Sequence, residues 1–283
     1  MHRERVSENV YWFQSSIYAQ VTAGVVLGTD WAVVIDTLAM PEETLAMRSF
    51  VEEELKVPVR YVINTHYHAD HTWGNCFFPG ATVVSSALCR RLMVERGIPA
   101  LDETRHSNPA FKNVKMVLPH LTFETGTMSL SVGKKRLTLF STPGNSPDGV
   151  SVLIEEDRVL FAGDAFMPIP YIVDGDYDQL CETMQRVGEM GLENIVQGHG
   201  DIILRGEIEG TVAGNLEYLK DIQKAAKMAL RRRNPSEALK KVDVQSCGKS
   251  RVYLEGLAED LHQRNMRFLY LKMKAEKEAA EAS

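Results

Sequence analysis

His66-Tyr67-His68-Ala69-Asp70-His71 gathers four metal-competent side chains into six residues. The run directly follows Val59 to Asn64, whose β-branched and aromatic residues predict a strand. Neutral imidazole and carboxylate suit zinc, iron or manganese, and a loop leaving a strand can splay close neighbours toward two adjacent metals. An isolated histidine reads as a solvated group or a satisfied core residue. A cluster with His at i, i+2 and i+5 and Asp at i+4 reads differently, because a shared cation offsets the cost of holding so many polar groups together.

The spacing His66-x-His68-x-Asp70-His71 resembles the signature of the metallo-β-lactamase superfamily, and later landmarks follow in that family's order. They are Thr142-Pro143-Gly144-Asn145-Ser146-Pro147, then Phe161-Ala162-Gly163-Asp164, then Gly198-His199-Gly200. The resemblance implies an α/β fold, a four-layer αββα sandwich, with a first metal site built from His66, His68 and the histidine of a Pro-Gly-His loop. It implies a second site from Asp70, His71 and His199, with Asp164 bridging the two. The chain departs from the pattern once: Asn145 stands where the loop histidine belongs.

Asparagine offers a neutral carbonyl oxygen, a weaker zinc ligand than imidazole. Three occupancies follow. Two metals bind, with Asn145 as a weak or water-mediated ligand; one metal binds on Asp70, His71 and His199; or one binds on His66, His68 and Asp164, the two-histidine, one-carboxylate composition of non-haem iron(II) oxygenases. We expect metal in the complete site, with the other filled according to supply. Zinc is the expected metal, one or two per chain, with iron or manganese as alternatives.

The resemblance further implies a metal-dependent hydrolase that turns a metal-bound hydroxide on a small ester, lactone, thioester or amide, β-lactams included. Asp70 is the candidate catalytic group, orienting the water or passing its proton to the leaving group. Tyr67 and Tyr171 are candidate substrate contacts. Two readings compete: a non-haem iron redox enzyme similar to the sulfur dioxygenases of the same superfamily, and a binding protein with a degraded metal site. Only 35 positions separate Asp164 from His199, which leaves no room for the large insertion of the RNA-processing branch.

Composition sets the outer bounds. The chain has 283 residues, 44% hydrophobic and 25% charged, as ordinary globular proteins do. A net charge of −6 gives no field to hold a phosphate backbone, so a small-molecule substrate is expected rather than nucleic acid. No apolar run reaches the roughly 20 residues of a membrane span, and the N-terminus shows no signal-peptide pattern. Cys76, Cys89, Cys181 and Cys247 lie far apart and read as reduced thiols, so the expected compartment is the cytoplasm.

Along the chain, Val10 to Phe13, Val21 to Leu27 and Ala32 to Asp36 predict strands, with a turn at Gly28-Thr29-Asp30. Pro41-Glu42-Glu43 starts a helix that Pro58 stops. Strand 81–85 and helix 87–95 follow, and residues 98–120, with Pro99, Pro109 and Pro119, read as an irregular loop over the site. Strands at 137–140, 150–154 and 159–162 precede a helix at 177–190. Residues 1–205 thus form the metallo-β-lactamase-like domain, and 206–283 a C-terminal helical extension, with helices over 207–231 and 252–280. That extension either caps the pocket or makes a homodimer surface. His2, His106, His120 and His262 read as surface histidines.

Overall fold

In the computed structural model, which describes residues 1–282, the alternating apolar runs pair into two sheets. The first keeps sequence order: β1 (His2–Ser7), β2 (Val10–Gln14), β3 (Thr22–Leu27), β4 (Ala32–Ile35), β5 (Val59–Ile63), β6 (Thr82–Ser86) and β7 (Leu121–Phe123). The second contains β8 (Thr127–Val132), β9 (Lys135–Ser141), β10 (Val150–Ile154), β11 (Val159–Phe161), β12 (Asn194–Val196) and β13 (Ile203–Leu204), again neighbours in sequence order. The strands β4 to β7 run parallel, as do β11 and β12, and every other pair is antiparallel.

The period of two sorts side chains between layers. Along β4, Val33 and Ile35 enter the cluster between the sheets, with Val152, Ile154 and Phe161 opposite, while Ala32 and Val34 join the outer one. Helix α1 (Pro41–Ser49) covers that outer face through Met47, and Phe50 and Val51 follow it. Short helices α2 (Ala69–Thr72) and α3 (Ala87–Leu92) and the longer α4 (Ile98–Ser107) flank the same sheet's connections. Helices α5 (Tyr177–Gly188), α6 (Ile208–Ala229), α7 (Pro235–Lys240) and α8 (Ala258–Ala282) share one apolar cluster with Leu160, Ile195 and Ile203 of the second sheet. The result is an αββα sandwich whose C-terminal helices lie on the second sheet.

Three expectations are corrected. Residues 98–107 are helical, because Pro99 sits in the first turn, where a missing N–H is tolerated, and Leu101 anchors a small cluster with Trp73, Phe111 and Val114. The last helix starts at Ala258, since Leu254 and Glu255 adopt left-handed φ of 55° and 58°. His262 is buried: with Met266 and Leu269 at i+4 and i+7 it lies on the apolar face of α8, its ring nitrogens 3.2 Å from the Tyr218 hydroxyl and 3.0 Å from the Val242 carbonyl. The four cysteines are free thiols. Among the described residues no helix is long and apolar enough to cross a membrane.

Candidate metal centre

Parallel strands aim their carboxyl ends one way, and open α/β folds use that edge for ligands. Asp36 follows β4, His66 follows β5, Asp164 follows β11 and His199 follows β12, so residues far apart in sequence meet where the two sheets converge. The single turn of α2 presents Asp70 and His71 from the same loop. A bridge between Val21 and His199, with Thr22 N–H donating to the Gly198 carbonyl at 2.8 Å, ties the sheets together beside the site. Gly198 is required there, because a Cβ would fall 2.0 Å from Asp164 Oδ1.

Among the described residues two groups of ligand-competent atoms result, each within 4.8 Å of one another: His66, His68 and Asp164, and Asp70, His71 and His199. Asp164 lies between them. Its Oδ2 is 3.4 Å from His66 Nε2 and 4.0 Å from His68 Nδ1, and its Oδ1 is 3.3 Å from His71 Nε2 and 3.6 Å from His199 Nε2. Asp70 Oδ2 is 3.4 Å from His199 Nε2. All six sequence-predicted histidine and aspartate ligands are therefore brought together.

The outward-facing nitrogen of each imidazole has its own partner. His71 Nδ1 is 2.8 Å from Asp36 Oδ2, and His199 Nδ1 is 2.9 Å from the Ala19 carbonyl. His68 Nε2 is 3.3 Å from Asp174 Oδ2. The Thr65 hydroxyl donates to Asp36 at 2.7 Å, which leaves its oxygen to accept from His66 Nδ1 at 3.0 Å. These bonds assign the tautomers and turn the remaining lone pair of every ring inward.

Inward, acceptor then faces acceptor. His66 Nε2 and His68 Nδ1 are 2.9 Å apart, and the buried His71 Nε2 and Asp164 Oδ1 have no hydrogen-bond partner among the described residues. Such an arrangement needs a cation, either a proton or a metal. Without metal, protons serve. Burial would lower the His68 pKa, but hydrogen bonds to Asp164 and Asp174 outweigh it and push the value to about 9. Burial opposes charge on His71 and His199 as well, yet Asp164, joined by Asp36 and Asp70, raises the first well above the ordinary range, and Asp164 and Asp70 raise the second. His66 stays low, from burial and the neighbouring His71 charge. Burial also works against the Asp164 and Asp70 carboxylates, and His71 leads the positive partners that hold both below their ordinary value. Four imidazoles and two carboxylates with inward lone pairs fit borderline divalent metals.

Asn145 is buried beside this centre. Its Nδ2 donates to the Tyr171 carbonyl at 3.0 Å, while its Oδ1 has no partner among the described residues and it lines a small cavity with Thr65, His66 and Asp164. Tyr67 gives its hydroxyl to Asp174 at 2.5 Å. Tyr171 lines a pocket of about 560 Å³ that opens onto His68, Asp70, Asp164 and His199. The rest of that pocket has an apolar side, from Ile17, Met167, Leu254, Leu257 and Leu261, and a polar one, from Tyr18, Glu255, Asp260 and Arg264. Asn265 of α8 clasps the pocket loop, donating to the Pro170 carbonyl at 2.7 Å and accepting from Ile172 N–H at 3.1 Å. Sequence reasoning misses Asp36, Asp174 and Tyr18. An acidic residue closing a strand is the only local signal for Asp36, and neither of the others has one.

The family model of the metallo-beta-lactamase superfamily matches residues 18–225. The chain belongs to the metallo-β-lactamase superfamily. Within that superfamily it is 26% identical over 222 residues to an acyl-coenzyme A thioesterase of Homo sapiens, covering 69% of this chain and 79% of that one. It is 25% identical over 198 residues to lactamase-like protein nscB of Trichophyton equinum, and spans about half of it, 53%. A solved metallo-beta-lactamase from Pontibacter korlensis aligns with a TM-score of 0.63 at 22% identity, over 78% of this chain and 99% of that one. A stereoselective inverting sec-alkylsulfatase from Pseudomonas sp. aligns at 0.74 and 14% identity, over 95% of this chain and 50% of that one. At these identities the structural likeness is one of fold. Superfamily membership together with two His/Asp groups makes this member a metal-dependent hydrolase.

Proposed function

We propose that this superfamily member hydrolyses small acyl substrates, thioesters foremost, with zinc held by His66, His68 and Asp164 and by Asp70, His71 and His199. Asn145 serves the first group weakly, through water. The observation that carries the reading is the pocket: an apolar wall of Ile17, Met167, Leu257 and Leu261 opens directly onto both ligand groups. Such a wall suits the hydrocarbon part of an acyl group, and the thioesterase among the relatives points the same way.

A divalent metal bound there supplies an acidified water as nucleophile and Lewis acidity at the attacked carbonyl oxygen. The chain's own groups do the rest. Asp70, on the pocket side, orients the water and takes up its proton for the leaving group. The Tyr18 phenol stays protonated, its pKa pushed to about 12 chiefly by the Asp70 charge, so it can donate to a developing oxyanion. Tyr171 borders the acyl space, and the Asn265 clasp holds its loop in place.

Purified protein incubated with acyl thioesters of increasing chain length tests the reading. Thiol release should stop with a chelator, return with zinc, and disappear in Asp70→Ala. Zinc-loaded protein that releases no thiol from any of them refutes it. A second reading rests on His66, His68 and Asp164, which supply two imidazoles and a carboxylate, the composition of an iron(II) redox centre. Oxygen consumption by the iron-loaded protein, without hydrolysis, would favour it.

A further inference from the structure

We propose that Asp174, braced by Tyr67 and Arg96, is the positioning residue that keeps His68 a metal ligand and so makes up for Asn145 in the first group. The inference rests on the reading of His66, His68 and Asp164 as a metal site.

His68 is the least enclosed of the four imidazoles, its side chain 22% exposed where those of His66 and His71 are 2% and 0%. Asp174 faces its Nε2 at 3.3 Å, and so fixes the tautomer with the proton on Nε2 and the lone pair on Nδ1, toward Asp164. The carboxylate is itself held. The Tyr67 hydroxyl donates to Oδ2 at 2.5 Å and the Arg96 guanidinium to Oδ1 at 2.6 Å, leaving it little freedom to turn away.

The loop bearing Asp174 is locked against the Asn145 loop. Asp176 N–H donates to the Gly144 carbonyl at 2.9 Å, and a Cβ on Gly175 would fall 1.9 Å from that same oxygen. Asp174 therefore stands at a fixed place relative to both His68 and Asn145. A carboxylate behind a ligating imidazole orients the ring and strengthens it as a donor. The first group, which has a neutral amide where the superfamily places a histidine, is the group with most to gain. Tyr67 lies between the two histidines of the motif, so one short stretch supplies both the ligands and part of the brace.

Zinc titration against a competing chelator tests this on the full chain, with thermal melting to confirm folding. Asp174→Asn should weaken one zinc equivalent roughly 10- to 100-fold and leave the other within about twofold. Arg96→Gln, on an exposed side chain that does not reach His68, should weaken the same equivalent less, and Asp174→Glu should restore part of the loss. If folded Asp174→Asn and Arg96→Gln bind every equivalent as the wild type does, the proposal is overturned. Should Asp174→Asn fail to fold, Arg96→Gln decides alone. If the wild type holds a single zinc, weakening of that one supports the proposal and indifference overturns it. A wild type that binds no zinc overturns the proposed function itself, and this inference with it.

Discussion

The two ligand groups share Asp164 and one loop, yet they are held in different ways. In the second group, His71 leans on Asp36 at 2.8 Å and His199 on the Ala19 carbonyl at 2.9 Å, and both rings are buried. In the first, His66 is reached from Asp36 only through Thr65, and His68 depends on a loop carboxylate at 3.3 Å. The second group is held by short, direct contacts on buried rings, and the first through an intervening hydroxyl and a longer contact to a partly exposed loop carboxylate. Rigidity behind a ligand sets how much of the binding energy is kept, so metal affinity should divide along the same line.

The largest break in that comparison is expected from Asp36→Asn. Asparagine tolerates the φ of 57° at this position but sets an amide N–H against Thr65 or His71. Losing one charge-assisted hydrogen bond should cost about 1.5–3 kcal/mol of stability, read as a lower melting temperature. Zinc at the second group should weaken roughly 10- to 100-fold. A second group that binds as before would mean the strand end is not what holds it.

Asn145→His sharpens the contrast from the other side. A third imidazole should raise zinc content at limiting metal toward about two per chain and tighten the first group by about tenfold, 1.4 kcal/mol. Elemental analysis after dialysis reads it. Unchanged content with altered turnover would assign Asn145 to substrate or water instead. The smallest effect belongs to Thr65→Val, which removes the hydroxyl joining Asp36 to His66 at a cost of about 1 kcal/mol. Its loss of zinc affinity should be a few-fold and confined to the first group. A greater loss at the second would show that Thr65 serves Asp36 rather than His66.

What the sequence discloses follows a physical line. The segment His66 to His71 declares itself because its chemistry is local, four ligand-competent side chains on one loop after an alternating strand. Asp164 and His199 are single residues in glycine turns, so only the resemblance to a family points to them. Asp36 and Asp174 act through side chains that the fold brings to them, across 35 positions to His71 in one case and 106 to His68 in the other, and no spacing rule reaches that far. Local rules also misjudge Pro99, which opens helix α4 where three prolines suggest a loop. The charged strand β1 carries no apolar alternation, and its pairing is supplied by β2. His262 reads as solvated until α8 is turned onto α6.

The clasp of Asn265 on the Pro170–Ile172 backbone has one more consequence. The side chains that would grip the metals come from residues 66–199, while Leu257, Leu261 and Arg264 of the pocket come from the last stretch of the chain. The last stretch thus supplies part of the pocket wall and none of the six histidines and aspartates, while Ile17, Met167 and Tyr171 complete the wall from elsewhere. Substitutions along the last helices can therefore reshape one side of the pocket while leaving the six histidines and aspartates in place.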